Sequence, residues 1–200
     1  MREKYQEEIE KRVNEFENGY AFTAVDFLDI ADTDAVNKAL SRMSDDSKIR
    51  RIIKGVYDKP IFSTLLQENS TPNIDSISSA LARKFNWTIA PAGETALNYL
   101  HMSTQVSNRW CYISDGPYRD YQVGPYTIEF RHCANREISG RCYMTIVAIQ
   151  AIKAIGRTNI SKQDISHLKT ALAGVEKEKI IEESRSSTSW VHKIIREACS

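Results

Sequence analysis

Apolar side chains recur at helical spacing in three stretches of the first third of the chain. They predict three helices, over residues 3–17, 24–31 and 34–43. In the first, Ile9 and Val13 belong to the inner face. Phe22 and Phe27 flank the start of the second at the positions of a hydrophobic staple, with Thr23 as its N-cap. The fold is therefore expected to begin with three helices packed on one another.

The third helix has one apolar and one polar face. Its inner stripe follows the spacing i, i+3, i+4, i+7 and consists of Val36, Ala39, Leu40 and Met43. Its outer face carries side chains that can donate hydrogen bonds to phosphates and base edges, namely Asn37, Lys38, Ser41 and Arg42. Thr33 is its expected N-cap after a tight turn. Two short helices joined by such a turn are typical of a helix-turn-helix.

A basic β-hairpin is predicted directly after this helix. The β-branched run 49–53 carries Arg50 and Arg51, and Lys54-Gly55 supplies the turn to a return strand. A hairpin in this place corresponds to the wing of a winged helix-turn-helix. Arg50, Arg51 and Lys54 are then expected to contact the DNA backbone or the minor groove. The same pattern also fits a protein-interaction module with a solvated basic edge.

The remainder of the chain is predicted to form a second, mixed domain. Residues 63–75 are polar and contain Pro72, so they are the expected connector between domains at 1–62 and 76–200. Three strands at 110–113, 118–123 and 127–132 should pair as a small antiparallel sheet. Helices are predicted up to residue 85 and at 94–101, 143–155, 161–172, 177–185 and 189–198. The expected fold class is α+β, an N-terminal winged helix-turn-helix followed by a mixed domain with C-terminal helices.

The net charge of +1 conceals an uneven distribution of charged residues. Residues 1–34 carry a net charge of −6, residues 35–59 of +4, and residues 60–200 of +3. The basic block coincides with the predicted third helix and hairpin, although charge clusters are more often solvated faces. The whole molecule should attract polyanions weakly. DNA affinity would therefore depend on residues 35–59.

The sequence lacks the common motifs of enzyme and cofactor sites. It has no P-loop, dinucleotide-binding, nucleophile-elbow or zinc-protease motif, so we expect no enzymatic activity and no cofactor. The four cysteines form no C-x-x-C pair, so no metal site is predicted and the thiols should be reduced. The charged first twelve residues lack the apolar core of a secretory signal, and no apolar run is long enough to span a membrane. We expect a cytoplasmic protein without membrane contact.

An arginine-rich region in the second domain leaves two interpretations open. It consists of Arg119, Arg131, Arg136 and Arg141. These side chains fit ordinary surface ion pairs, or a surface that contacts phosphate or RNA. An enzyme acting on RNA or nucleotides would have to use this region, with Asp115, Arg119 or His132 as its reactive groups.

Several stretches resemble AbiEi-like antitoxins of bacterial type IV toxin–antitoxin systems. Residues 39–43 (ALSRM) and 49–57 (IRRIIKGVY) resemble their helix and wing. Residues 87–98 (WTIAPAGETALN) are similar to their second domain, as are 103–106 (STQV) and 114–117 (SDGP). The resemblance covers about residues 20–198. His101-Met102 departs from it, since many relatives have leucine or glycine-leucine there.

This resemblance implies a DNA-binding antitoxin that represses its own operon. It would bind inverted repeats of double-stranded DNA in its promoter, which requires two copies on the DNA. It would also counteract a cognate AbiEii-like nucleotidyltransferase toxin, with direct contact between the two left open. The alternative is a protein-interaction module that neutralises a partner through the C-terminal domain, without specific DNA binding.

Overall fold

The protein consists of two compact units of mixed helix and strand. The computed structural model describes residues 2–65, 67–105 and 107–200, with side chains from Tyr5 onward. Leu66 in the predicted connector and Val106 in the stretch STQV lie outside the described residues. Contacts divide the chain into Met1–Trp87 and Thr88–Ser200. The expected α+β class with C-terminal helices is confirmed.

The N-terminal unit contains three α-helices, a single 3-10 turn and five short strands among its described residues. In chain order these are α1 (Arg2–Glu15), β1 (Ala21–Phe22), the 3-10 turn (Ala24–Phe27), α2 (Thr33–Asp45), β2 (Arg50–Ile53), β3 (Val56–Asp58), β4 (Phe62–Ser63), β5 (Glu68–Asn69) and α3 (Ile74–Phe85). Strands β1, β3 and β2 form an antiparallel sheet in that order, and β4 pairs with β5. The predicted hairpin is confirmed as β2 and β3.

The predicted apolar faces of the first and third helices form the core of this unit. Ile9 and Val13 of α1 are buried, and so is the whole inner stripe of α2. Phe22 and Phe27 are fully buried with ring centroids 5.7 Å apart, which confirms the staple contact. Burial of each valine, leucine, isoleucine, methionine or phenylalanine side chain in this core contributes about 1.5–3 kcal/mol. The polar face of α2 is therefore turned outward by the packing of its apolar face.

The second predicted helix, over 24–31, is wrong in extent, because only the 3-10 turn forms. Arg12 Nη1 donates to the carbonyl oxygen of Asp26 at 3.0 Å. That oxygen would accept the N–H of Ile30 in an α-helix. Ile30 instead donates to the Phe27 carbonyl at 2.9 Å. The N-cap of α2 is Asp32, one residue before the predicted Thr33, since the Asp32 carboxylate accepts the Ala35 N–H at 2.9 Å.

Helix α3 belongs to the N-terminal unit by its contacts. It packs against β1, β3 and the 3-10 turn, with Ile77 and Leu81 fully buried. The contact boundary at Trp87 thus follows α3, whereas the sequence-based boundary at 63–75 precedes it. Asn73 caps the helix by accepting the Ser76 N–H at 3.0 Å. The basic end of α3 is consequently carried by the same unit as α2 and the hairpin.

The C-terminal unit contains a four-stranded sheet and six helices among its described residues. In chain order they are β6 (Ile89–Pro91), α4 (Glu94–Tyr99), β7 (Arg109–Ser114), β8 (Arg119–Val123), β9 (Tyr126–His132), α5 (Asn135–Ile138), α6 (Tyr143–Ile155), α7 (Lys162–Ala171), α8 (Lys177–Ser184) and α9 (Ser189–Cys199). Helix α6 is buried over most of its length and packs against α4, α8 and α9. No helix in the described part of the chain is long and apolar enough to cross a membrane.

The sheet of this unit is mixed, because one of its three pairings is parallel. The strand order is β6-β7-β9-β8. The pairing β8–β9 is antiparallel, as predicted. Strand β6, which the predicted three-stranded sheet did not include, pairs antiparallel with β7, and β7 and β9 run parallel rather than antiparallel. Ile128 and Phe130 at the centre of β9 are fully buried, while β8 exposes Arg119 and Asp120. In the β8–β9 hairpin, the apolar strand β9 therefore lies inside the sheet beside β7, and β8 lies at the edge. This placement makes β9 run parallel to β7.

Candidate nucleic-acid interface

A cleft of about 560 Å³ opens between α2, the β2–β3 hairpin and the end of α3. We call it the basic cleft, after the cations that line it: Arg51, Lys54 and Lys84. Asn37 and Ser41 of α2 form its polar side. None of the described residues that line it is acidic. The cleft therefore combines positive charge with neutral hydrogen-bonding groups. Such a surface can bind a polyanion that also presents hydrogen-bonding groups of its own.

The hairpin directs Arg51 and Lys54 into this cleft. Arg51 lies on β2 opposite Tyr57, and Lys54 is at the turn. Gly55 completes the turn with a φ of +75°, a conformation that glycine adopts without steric cost. Arg51 and Lys54 are exposed, and neither has a hydrogen bond or ion pair with another described residue. Both charges are consequently available to a ligand.

Lys84 is a site residue that the sequence analysis missed. A Cβ atom built on Gly55 would lie 3.1 Å from Lys84 Nζ, so the lysine reaches the hairpin turn. The same Nζ lies 5.5 Å from the centroid of the Phe85 ring, within cation–π range. The basic pair Arg83-Lys84 at the end of a predicted helix was the available signal. The sequence-based boundary at 63–75 places this helix in the second domain and so separates the pair from the hairpin.

Arg50 is separated from the other predicted hairpin residues. Its Nε and Nη2 bind the two Asp58 oxygens at 3.0 and 2.6 Å, and its Nη1 donates to the Ser70 carbonyl at 2.7 Å. The Asp58 side chain is only 1% exposed. Neighbouring residues on a strand point to opposite faces, so Arg51 faces the cleft while Arg50 faces Asp58. Arg50 therefore joins β2 to β3 and to the segment before α3.

The four predicted residues of α2 divide into two rows. Asn37 and Ser41 line the basic cleft, whereas Lys38 and Arg42 border an open hollow on the other flank of the helix. Residues four apart lie above one another on a helix, which gives each row its pair. The hollow also contains Asp32 and Asp34, so its charge is mixed. Arg42 Nη1 lies 3.4 Å from Gln6 Oε1 of α1, the oxygen that accepts its hydrogen bond.

Two of the three candidate reactive groups of the second domain, Asp115 and His132, bond to backbone groups, and the third, Arg119, is exposed on β8 with its Nη1 3.5 Å from the Tyr121 hydroxyl. The Asp115 carboxylate accepts the Thr88 N–H at 2.8 Å. His132 Nδ1 lies 2.9 Å from the Gly116 carbonyl oxygen, which requires Nδ1 to be the donor. Among the described residues, no group of three His, Cys, Asp or Glu side chains could hold a metal ion. Asp115 and His132 thus fasten the loop between β7 and β8.

Three of the four cysteines, Cys111, Cys133 and Cys199, are buried thiols rather than reactive groups, whereas Cys142 is half-buried. Burial raises the pKa of the Cys111 thiol to about 11. Burial also raises the pKa of Cys133 and of Cys199 above the usual thiol value. A thiol held in its protonated form is a weak nucleophile and a weak metal ligand.

The predicted arginine-rich region does not form one surface. Arg131 pairs with Glu129 on β9, Nε to Oε1 at 2.9 Å, and Arg109 reaches the same carboxylate at 3.5 Å. These two guanidinium groups lower the pKa of Glu129, Arg131 chiefly by its hydrogen bond. Arg136 and Arg141 instead border a different cavity with Lys153. The surface ion-pair interpretation accordingly describes Arg131.

Comparison with known proteins gives one family match. Residues 8–180 match the model of DUF6088, a family of unknown function. The match begins in α1 and ends in α8, so it includes residues of both compact units. No curated protein and no solved structure gives a significant match.

Proposed function

The chain belongs to DUF6088, whose function is unknown, and we propose that its N-terminal unit binds double-stranded DNA as a winged helix-turn-helix. The observation that carries this proposal is the basic cleft between α2 and the hairpin, with three cations and no acid among its described lining residues. Cations placed beside a polar helix face are the elements that backbone binding and base readout require.

The order of the elements supports the same function. A helix, a short strand, a helical turn, a second helix and a hairpin follow one another, and β1 joins the hairpin through β3. In this arrangement α2 is the recognition helix and the β2–β3 hairpin is the wing. The loop between the 3-10 turn and α2 is short, as a helix-turn-helix demands.

The two rows of α2 and the cations of the cleft have different tasks in this proposal. Asn37 can bond to an adenine edge and Arg42 to a guanine edge in the major groove, with Lys38 and Ser41 beside them. Arg51, Lys54 and Lys84 hold phosphates, which contributes affinity without sequence preference. Arg50 stabilises the hairpin and does not contact DNA.

The proposal is tested by DNA binding of a double variant of the wing. Fluorescence anisotropy with DNA from upstream of the gene compares the natural chain with Arg51→Gln/Lys54→Gln at several salt concentrations. Loss of two phosphate contacts should weaken binding to all sequences about tenfold or more and reduce the salt slope by about two. Lys11→Gln/Lys179→Gln removes the same charge from exposed positions outside the cleft, and should leave both quantities unchanged. Equal affinity and slope in the wing variant and the natural chain would refute the proposal.

The resemblance to AbiEi-like antitoxins extends the proposal to a biological role. The protein would repress its own operon from an inverted-repeat promoter site and counteract a cognate nucleotidyltransferase toxin. Co-expression with a nucleotidyltransferase encoded by the adjacent gene tests this role. Growth should stop with the nucleotidyltransferase alone and recover with the natural chain. Failure to recover, with both proteins present at normal levels, would contradict the antitoxin role while leaving DNA binding intact.

A second candidate, protein binding through the C-terminal unit, rests on an exposed aromatic pair. Tyr99 and Tyr143 are 44% and 43% exposed, and their ring centroids lie 5.7 Å apart in an edge-to-face arrangement. Aromatic residues are enriched in protein interfaces. If this pair contacts the toxin, Tyr99→Ser/Tyr143→Ser should abolish its co-purification with the full chain and leave DNA binding unchanged. Undiminished co-purification would exclude this surface.

A further inference from the structure

A second basic cavity lies in the C-terminal unit, and none of its described lining residues belongs to the sheet. It has a volume of about 270 Å³ and is bordered by α5, α6 and the segment that leads into α9. Arg136, Arg141 and Lys153 contribute its cations, and Ser186, Ser187 and Thr188 its hydroxyl groups. We call it the arginine pocket. Arg136 and Arg141 belong to the arginine-rich region, which has no role in the proposed DNA binding.

The charge of the arginine pocket is positive after its one acid is counted. Glu137 is the only carboxylate among the described lining residues, and its Oε2 lies 2.8 Å from Lys153 Nζ. The hydrogen bond from Lys153, followed by the charges of Lys153, Arg136 and Arg141, lowers the pKa of Glu137 against the opposing effect of burial. Three cations and one carboxylate leave a formal charge of +2 around the cavity.

Of the two guanidinium groups in the arginine pocket, that of Arg141 is held in place and that of Arg136 is free. Arg141 Nη2 donates to Ser186 Oγ at 2.7 Å, and its Nη1 to the Glu137 carbonyl at 3.3 Å, so its guanidinium plane is held in place. Arg136 has no hydrogen bond or ion pair with another described residue. The Thr188 hydroxyl does not cap its helix. A fixed guanidinium beside a free one is thus available to an acceptor in the cavity.

The Glu183 carboxylate of α8 is already engaged by the start of α6. Glu183 Oε2 accepts the Cys142 N–H at 2.9 Å and the Thr145 hydroxyl at 2.6 Å, at the start of α6. Glu183 does not line the cavity. It therefore does not supply an internal counter-anion for Arg136.

We propose that the arginine pocket binds a phosphate group, either as free orthophosphate or as the terminal group of a small phosphate monoester. Guanidinium groups bind phosphate oxygens through paired, charge-assisted hydrogen bonds. The cavity is slightly smaller than the 300–1,000 Å³ that is common for pockets of drug-sized ligands, so it suits a single anionic group with a short attachment. This site is independent of the basic cleft and of DNA binding.

The proposal is tested by titrating the full chain with phosphate at constant ionic strength. Isothermal calorimetry in a phosphate-free buffer, with sodium chloride as the reference salt, should show saturable binding of orthophosphate in the millimolar range. Glycerol phosphate forms the second arm, and binding of both ligands assigns the site to a monoester while binding of orthophosphate alone assigns it to the free ion. Thermal denaturation should show a rise in the unfolding temperature that follows mass action.

Arg136→Gln is the decisive variant, because this side chain has no structural partner among the described residues. It should weaken phosphate binding about fivefold or more, the effect of one exposed charge-assisted hydrogen bond. Arg136→Lys should retain more affinity than Arg136→Gln, and Arg157→Gln, an exposed residue that does not line the cavity, should bind as the natural chain does. Absence of saturable binding beyond the chloride reference, or equal losses in Arg136→Gln and Arg157→Gln, would overturn the proposal.

Discussion

At the scale of single residues, Arg50 and Arg51 are neighbours on β2 with opposite tasks. Arg50 neutralises the buried Asp58 carboxylate, and Arg51 is exposed in the basic cleft. Arg50→Ala leaves that carboxylate without its partner. The free energy of unfolding should fall by about 2–3 kcal/mol, less than for a fully buried pair because the Arg50 side chain is 24% exposed.

Arg51→Ala is the matched comparison for Arg50→Ala in urea denaturation. It should change the free energy of unfolding by less than about 0.5 kcal/mol, yet weaken DNA binding. If both substitutions lower the free energy of unfolding equally, the ion pair of Arg50 with Asp58 does not stabilise the fold as proposed.

Gly55 is the residue on which the shape of the hairpin turn depends. Its φ of +75° is unfavourable for any side chain, and a Cβ would lie 3.1 Å from Lys84 Nζ. Gly55→Ala should therefore lower the free energy of unfolding by about 1 kcal/mol or more. The displaced lysine should also reduce DNA affinity. Gly124→Ala has a comparable φ of +55° but nothing within 4 Å of the added Cβ, so it should affect stability alone.

The buried Cys111 thiol makes the free energy of unfolding depend on pH in the alkaline range. Burial raises its pKa to about 11 in the folded chain, whereas an exposed thiol ionises near pH 8.5. The folded state thus favours the protonated thiol. This contribution to stability is fully present below about pH 8.5 and is lost as the pH rises to about 11. In denaturation measured across this range, Cys111→Ala should show a shallower loss of stability than the natural chain, and parallel curves would contradict the assignment.

At the scale of elements, the start of α2 depends on one side chain. The Asp32 carboxylate accepts the Ala35 N–H and lies at the positive end of the helix dipole. Asp32→Ala should cost about 1 kcal/mol of unfolding free energy, while Asp32→Asn, which keeps the acceptor, should cost less. Urea denaturation followed by circular dichroism measures both. A loss as large in Asp32→Asn as in Asp32→Ala would indicate that the cap hydrogen bond is not the cause.

Local patterns predicted most elements well, and the exceptions have tertiary causes. The apolar stripe of α2, the β2–β3 hairpin and the staple of Phe22 with Phe27 all depend on residues a few positions apart. The 3-10 turn does not continue as an α-helix, because Arg12 of α1 donates a hydrogen bond to the Asp26 carbonyl oxygen. The parallel pairing of β7 with β9 reflects which strand is apolar enough for the interior of the sheet.

At the scale of the whole molecule, the proposed function predicts two chains of 22.8 kDa on one inverted repeat. Two-fold symmetric readers bind half-sites spaced by whole turns of the double helix. Inserting about five base pairs between the half-sites should strongly weaken binding, and inserting about ten should restore much of it. Mass photometry gives the stoichiometry and anisotropy the affinity. Equal affinity for all three spacings would refute paired binding, although a single chain could still bind DNA.

The sequence by itself determined most of the helices, the β2–β3 and β8–β9 hairpins, the apolar faces that form the cores, and the basic segment 35–59, because these properties depend on the order of nearby residues. Tertiary structure alone decided which cations share a surface. It places Lys84 of α3 beside the turn of the β2–β3 hairpin and pairs Arg50 with Asp58. It also places Arg136 and Arg141 at the arginine pocket, which is separate from the basic cleft. The physical reason is that a charged side chain acts on whatever folding brings within a few ångströms, and such neighbours are distant in the chain.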